Sequence, residues 1–180
     1  MNELLEVEQI KKLKHRYFRH LDCKQFDAML ALFADDSSTS YDSGSHSFEG
    51  KPAIREFFDT SLSDPKILHQ HQGHHPEIEL TSENTATGIW YMDDTVHILE
   101  HNIKVRGNGI YWDEYVKVDG QWKIQHTGYE RVWEYTETIP ESANLTFKSM
   151  FDEDELERRG KRVKREGEPE IVYWENEKKG

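Results

Sequence analysis

The sequence predicts an α+β domain in which helices pack on one face of a curved antiparallel sheet. Two observations carry this expectation. Apolar residues recur at helical spacing only before Pro65, and beyond it the texture changes to two-residue alternation broken by turn signals. A length of 180 residues suits one domain with a proper core.

Three helices come early. Val7, Ile10, Leu13, Tyr17 and Leu21 follow one another at helical steps with lysines and glutamates between them, which marks an amphipathic helix from Leu4 to about Leu21. A second, short helix runs from Phe26 to Phe33 with Met29 and Leu30 on its inner side. Asp35, Asp36 and serines end it, and Ser38 to Tyr41 reads as a strand before a turn at Ser43-Gly44. Gly50-Lys51-Pro52 opens a third helix carrying Ala53, Ile54, Phe57 and Phe58, with Pro52 suited to a first turn. Strands are then expected at Ile67 to Gly73, Glu77 to Leu80, Thr85 to Met92, Val96 to Val105, Ile110 to Val118 and Gln121 to Tyr135. Asp119-Gly120 joins the last two as a hairpin. Such a sheet, closed by helices, leaves a cone-like interior.

The expected division is a domain over residues 1–140 and a charged extension over 141–180. The extension holds an acidic block from Asp152 to Glu155, a basic one from Arg158 to Arg165, and then further acids. Its composition fits a charged helix lying over a neighbouring subunit or a disordered tail, and Val172, Tyr173 and Trp174 suggest that part of it docks.

Composition narrows the partners. Lysine and arginine number 23 against 35 acids, a formal net charge of -12, and such a surface repels nucleic acid and anionic membranes. The longest apolar run, Ala28 to Ala34, falls far short of the roughly 18 residues a bilayer span needs. The acidic N-terminus is unlike a basic leader, so a soluble, cytoplasmic protein is expected. Cys23 stands alone, which excludes an internal disulfide and a cysteine-rich zinc site. Five tryptophans, eight tyrosines and eight phenylalanines in so polar a chain suit the wall of a pocket as well as a core.

Several residues are candidates for chemistry, each with a structural alternative. Tyr17 lies on the helix seam, where a core aromatic is the simpler role. Asp22 is five residues further on, about 140° around an ideal helix, so it shares a cavity with Tyr17 only if the helix ends or bends near Leu21. Otherwise it is a solvated helix-terminal acid or a cap. His69-Gln70-His71-Gln72-Gly73-His74-His75-Pro76 places His69 and His71 on one strand face. A zinc or iron site is one alternative there, although no third ligand of defined spacing is evident and Gly73 with Pro76 interrupts the strand. The simpler outcome has one histidine facing inward. Arg131 shares a face with Tyr129 and Trp133 and, if buried, needs an anion from Asp94 or a substrate carboxylate. Asp93-Asp94 reads as a turn pair and Arg106-Gly107-Asn108-Gly109 as a loop.

Taken together, Tyr17-Phe18-Arg19-His20-Leu21-Asp22, Thr39-Ser40-Tyr41, His71 through Ile78, Thr85 through Asp94, Asp119-Gly120-Gln121-Trp122 and Thr127 through Arg131 resemble a SnoaL-like domain of the nuclear-transport-factor-2-like superfamily. Within it the likeness is greatest to the bile acid 7α-dehydratases, and more distant to scytalone dehydratases and hexachlorocyclohexane dehydrochlorinases. The resemblance covers roughly residues 5 to 135 and lies in the order and spacing of the motifs. It implies a cone-shaped α+β barrel, three N-terminal helices on a strongly curved antiparallel sheet enclosing a pocket. It further implies a homotrimer that eliminates water from a hydrophobic small molecule without metal or organic cofactor. The family's pattern puts the catalytic roles on His71, Asp22 and Tyr17 and substrate binding on Tyr41, Asp94 and Arg131, and it selects His71 as the histidine seven residues before Ile78.

The chain departs from that pattern around His97 to Asn108, beside Arg131 and in the C-terminal tail. A hydro-lyase acting on a hydroxylated steroid-like or polycyclic molecule is therefore the expectation. The alternatives are an isomerase, a halide-expelling lyase and a non-catalytic binding domain on the same fold.

Overall fold

A computed structural model describes residues 3–161 of the chain. The first helix, α1, spans Glu3–Asp22 and buries Ile10, Leu13, Tyr17, Phe18 and Leu21 along one side. It stops because Lys24 turns left-handed, with φ 55°. The amide of Lys24 then reaches the Leu21 carbonyl at 3.0 Å and the amide of Gln25 the His20 carbonyl at 2.8 Å. These two bonds form a Schellman closure with lysine where glycine is usual. Asp22 is thus the last helical residue.

Helix α2 is a single turn and a half, Phe26–Leu30, shorter than expected at its C-terminal end. Phe33 instead opens strand β1, Phe33–Tyr41. Strand β2, His46–Glu49, pairs with it through a turn in which Asp42, Ser43 and Gly44 all have positive φ. No apolar alternation announces β2, because it is largely exposed. Helix α3, Gly50–Ser61, turns Ile54 and Phe58 into the core and packs on β1.

Four long strands complete the sheet: β3 at Ile67–Leu80, β4 at Thr85–Ile98, β5 at Ile103–Val118 and β6 at Gln121–Thr138. They form an antiparallel meander, and β1 joins β6 in parallel, giving the order β2-β1-β6-β5-β4-β3. The sheet curves around the helices without closing, since β2 and β3 are its two edges. This is the α+β cone that the sequence predicts.

Three strand expectations are corrected. Gly73 and Pro76 do not split β3, which absorbs the irregularity as a bulge between His74 and Glu77, with His75 at φ 48°. The strand expected from Val96 to Val105 contains the reversal between β4 and β5, a 3-10 turn at Leu99–His101 closed by left-handed Asn102. Apolar alternation on both sides disguises that turn. Asp93-Asp94 and Arg106 to Gly109, expected as turn and loop, lie inside β4 and β5. The glycines there serve close packing: a Cβ on Gly107 would lie 2.7 Å from the Trp133 carbonyl oxygen, and one on Gly109 2.6 Å from that of Glu130.

Beyond β6 the chain crosses the β4–β5 tip, where the Phe147 ring sits 4.9 Å from that of His97. Phe151 is buried, with the Lys24 ammonium 5.4 Å from its ring. Helix α4, Glu153–Gly160, follows and carries the ion pairs Glu155–Arg158 and Glu157–Lys161. Val172, Tyr173 and Trp174 lie outside the described residues. No helix among those described is long and apolar enough to cross a membrane.

Candidate active site

The end of α1 and the middle of β3 meet at Asp22 and His71. One Asp22 oxygen lies 2.7 Å from His71 Nδ1 and the other accepts the His71 backbone N–H at 2.9 Å. An ionised carboxylate only accepts, so Nδ1 carries a hydrogen, and in the neutral imidazole Nε2 is the nitrogen with the free lone pair. Holding both the ring and the backbone of one residue fixes the orientation of the imidazole. The side chains are 13% and 24% exposed, so the pair borders solvent rather than being sealed in the core.

Phe18 supports the imidazole from the side, its ring tilted 13° from that of His71 with centroids 6.4 Å apart. Gly73 makes room for it: a Cβ at that position would lie 2.4 Å from Phe18 Cε2. Gly73→Ala is therefore expected to push Phe18 against His71 and to cost about 1–3 kcal/mol of overpacking strain, measured as a lowered urea midpoint. An unchanged midpoint would mean that Phe18 has room to move away.

The remaining histidines differ in setting. His69 shares the inner face of β3, but burial, the Lys24 charge and His71 push it down to about 2, so it stays neutral. Lys24 itself, held by the Leu62 carbonyl and 3.4 Å from His69 Nε2, is pushed down to about 8 by burial. His74 points outward beside Asp93, and His75 occupies the bulge. Among the described residues no three histidine, cysteine or acidic side chains converge as metal ligands.

Behind the pair lies a cluster of phenols. Tyr17 and Tyr41 are buried, with their hydroxyls 3.0 Å apart, and the rings of Tyr111 and Tyr129 close the group at 5.2 Å. Burial raises Tyr17, Tyr41 and Tyr111 well above the ordinary tyrosine range and pushes Tyr129 up to about 12. Groups raised in the folded state contribute stability that is present below the unfolded value near 10 and lost as pH climbs past it. Tyrosinate absorbance from this cluster is thus expected to emerge together with cooperative unfolding. A smooth titration of all eight tyrosines near pH 10 would contradict that.

Arg131 is anchored on Asp94, with Nη2 donating to Oδ2 at 2.9 Å and Nη1 to Oδ1. Burial lowers and Asp94 raises the guanidinium, and the carboxylate prevails. A 3.0 Å approach of Arg131 Nε to Glu134 is an ion-pair contact without hydrogen-bond alignment. Asp94 is also the register partner of His71 across β3 and β4, which brings the two pairs to adjacent strands. Trp133, expected on the face of Arg131, is moved off it by a bulge opposite Asn108 and Gly109, and stacks on Tyr135.

The same strand face continues away from the site. His71 pairs with Asp94, His69 with Val96 and Ile67 with Ile98, while Gly107, Val105 and Ile103 lie opposite on β5. Ile98 and Ile103 line a cavity of about 290 Å³ together with Leu99, Ile139, Leu145 and Phe147. Asp94 and Ile98 are four steps apart along β4, a span of about 13 Å.

A second buried cluster was not among the sequence candidates. Lys14, which the helical pattern assigns to the polar spaces between seam residues, is fully buried and paired with Asp113 at 2.8 Å. Its spacing held a signal: Ile10, Lys14, Tyr17 and Leu21 are themselves at four-, three- and four-residue steps.

Known structures share this architecture. A candidate scytalone dehydratase from Novosphingobium aromaticivorans superposes with a TM-score of 0.68 at 22% identity, over 76% of this chain and 91% of its own. The hexachlorocyclohexane dehydrochlorinase LinA-type3 from Novosphingobium barchaimii gives 0.66 at 18% identity, over 76% and 96%. A protein of unknown function from Mycobacterium tuberculosis gives 0.62 at 23%, over 72% and 77%. At these identities the likeness is one of fold. The family model for the SnoaL-like domain, however, matches residues 2–128, which takes in α1, the whole meander up to the middle of β6, and Tyr17, Asp22, Tyr41, His71 and Asp94, though not Arg131: the chain belongs to the SnoaL-like domain family.

Proposed function

We propose that the protein is a cofactor-independent hydro-lyase that eliminates water from a hydroxylated steroid-like or polycyclic molecule. The observation that carries this reading is the double hold of Asp22 on His71, which leaves one basic nitrogen, Nε2, at the border of the interior. Elimination needs a base for an acidified C–H and a proton for a poor leaving group. His71 Nε2 takes the proton from carbon, the electron pair forms the new double bond, and the same proton is available to the departing hydroxide, which leaves as water. Asp22 stabilises the transient imidazolium. Tyr17 and Tyr41 retain their protons and hold the substrate oxygen, while Asp94 and Arg131 bind the substrate beside them.

The substrate class draws on the sequence resemblance to bile acid 7α-dehydratases and on the strand face running from His71 to the cavity at Ile98 and Ile103, whose apolar lining is joined by Asn102, Glu141 and Asn144 and suits an elongated apolar body with a polar end. The reading extends to a cytoplasmic homotrimer that binds neither nucleic acid nor membrane. Trp112, Trp133 and Tyr135, all exposed, support an association surface on the sheet. An isomerase or a halide-expelling lyase would use the same base. A panel of hydroxylated steroid ketones and chlorinated alicyclic compounds, followed by mass spectrometry, distinguishes them: loss of water from a steroid ketone is the expected product. Loss of chloride alone, isomerisation without mass change, or binding without turnover would each overturn the hydro-lyase assignment.

A further inference from the structure

We propose that the buried Lys14–Asp113 pair is a positioning element that strengthens Tyr17 as a hydrogen-bond donor to the substrate oxygen. The inference rests on the reading of Tyr17 as an oxygen-holding group. Lys14 Nζ lies 2.8 Å from Asp113 Oδ2 and donates to Thr127 Oγ1 at 3.0 Å. Asp113 in turn accepts the hydroxyls of Thr127 at 2.7 Å and Tyr115 at 2.6 Å, and Trp90 Nε1 donates to the Tyr115 hydroxyl at 3.0 Å. An ammonium has three N–H bonds. Asp113, with Oδ2 at 2.8 Å and Oδ1 at 3.1 Å, and Thr127 are its polar partners, and aromatic rings stand close to the charge: the nitrogen is 3.7 Å from the Tyr111 centroid, 4.6 Å from that of Tyr17 and 5.1 Å from that of Phe18.

Stability alone does not account for this arrangement. Apolar side chains of similar volume generally serve a core as well as a buried ion pair, or better. The placement of the cation is the distinguishing feature. A positive charge on the face of a phenol is attracted by its π density and draws that density away from the hydroxyl, which polarises the O–H bond. Tyr17 sits three residues after Lys14 on α1, so the helix itself sets the ring beside the ammonium. On the far side of the phenol cluster Arg131 lies 5.0 Å from the Tyr129 ring centroid, with Asp94 as its counter-ion. Two cation–carboxylate pairs therefore bracket the phenols. Tyr17 is the member whose hydroxyl meets Tyr41, the other oxygen-holding group of the proposed function.

The test is the neutral double variant Lys14→Met/Asp113→Asn, which removes both charges and keeps one acceptor oxygen for Tyr115, while Thr127, released from Lys14, can turn its hydroxyl to accept from the new amide. The Raman Fermi doublet of tyrosine reports the donor strength of a phenol without any substrate, and the Tyr17 component is isolated by subtracting the spectrum of a Tyr17→Phe protein in each background. The expected result is a doublet ratio shifted toward a weaker donor in the double variant. An unchanged ratio overturns the proposal, whatever the enzyme acts on. On a substrate that the wild type dehydrates, kcat is expected to fall about tenfold with KM nearly unchanged. An equal kcat in the folded double variant also overturns it. If Met and Asn do not fold, Lys14→Gln/Asp113→Asn, which retains hydrogen bonding, is read in the same way. Absence of any dehydration by the wild type would count against the proposed function alone, because the Raman comparison stands without it.

Discussion

Replacing His71 by alanine is expected to lower turnover by about 10²- to 10⁴-fold, the range typical of a positioned acid–base group. The loss should appear in kcat, because the imidazole works on the proton in flight rather than on the apolar body of the substrate. The fold should survive, since His71 lies at the border of the interior and Asp22, once released, faces solvent on the same side. Asp22→Asn is the finer version of the experiment. An amide can still accept from Nδ1–H, but it no longer stabilises the imidazolium, and it can flip to donate and thereby select the other tautomer. A His71→Ala protein with unchanged turnover would remove the histidine from the reaction.

The largest stability effect is expected from Lys14→Met as a single substitution. Asp113 is completely buried and would lose its cation while keeping its charge, a situation that costs about 3–5 kcal/mol. Thr127 and Tyr115 still donate to it but neutralise nothing. Urea denaturation measures the effect directly, and adding Asp113→Asn to the Met variant should recover most of the loss. A single variant as stable as the wild type would mean that Asp113 takes up a proton at little cost in its buried position.

How far the sequence discloses this molecule depends on the kind of signal each part carries. Periodicity locates α1, α3 and the meander well, because burial of one face imposes it. It fails where a polar side chain occupies an inner position, as with Lys14, whose seam spacing is overridden by its chemical type. It fails again at Asp94 and at Gly107 and Gly109, whose residue types suggest turns. Within strands, Asp94 is satisfied by Arg131 from β6, and the glycines admit the neighbouring strand. Such reasons are tertiary and leave no local trace.

The site shows the same division. Family likeness singles out His71 among its neighbours, but whether Asp22 reaches it depends on where α1 ends. That end is made by Lys24 in a left-handed conformation, with no glycine to announce it. The anion for Arg131, left open between Asp94 and a substrate carboxylate, is Asp94 in the structure. Bulges account for the remaining differences: one carries β3 past Pro76, and the other moves Trp133 away from Arg131. Neither can be placed from alternation alone, since each inserts a residue into the period that defines the strand.

The proton-transfer role of His71 is tested most directly by a crystal structure of the protein with a hydroxylated steroid ketone bound in a slowly reacting variant such as Tyr17→Phe. The acidified carbon is expected about 3–3.5 Å from His71 Nε2, the distance of a reactive arrangement. The carbonyl or leaving oxygen should lie toward Tyr41, and the apolar rings should run toward Ile98 and Ile103. A ligand bound with its reacting carbon away from Nε2, or a metal ion found on that nitrogen, would contradict the assignment.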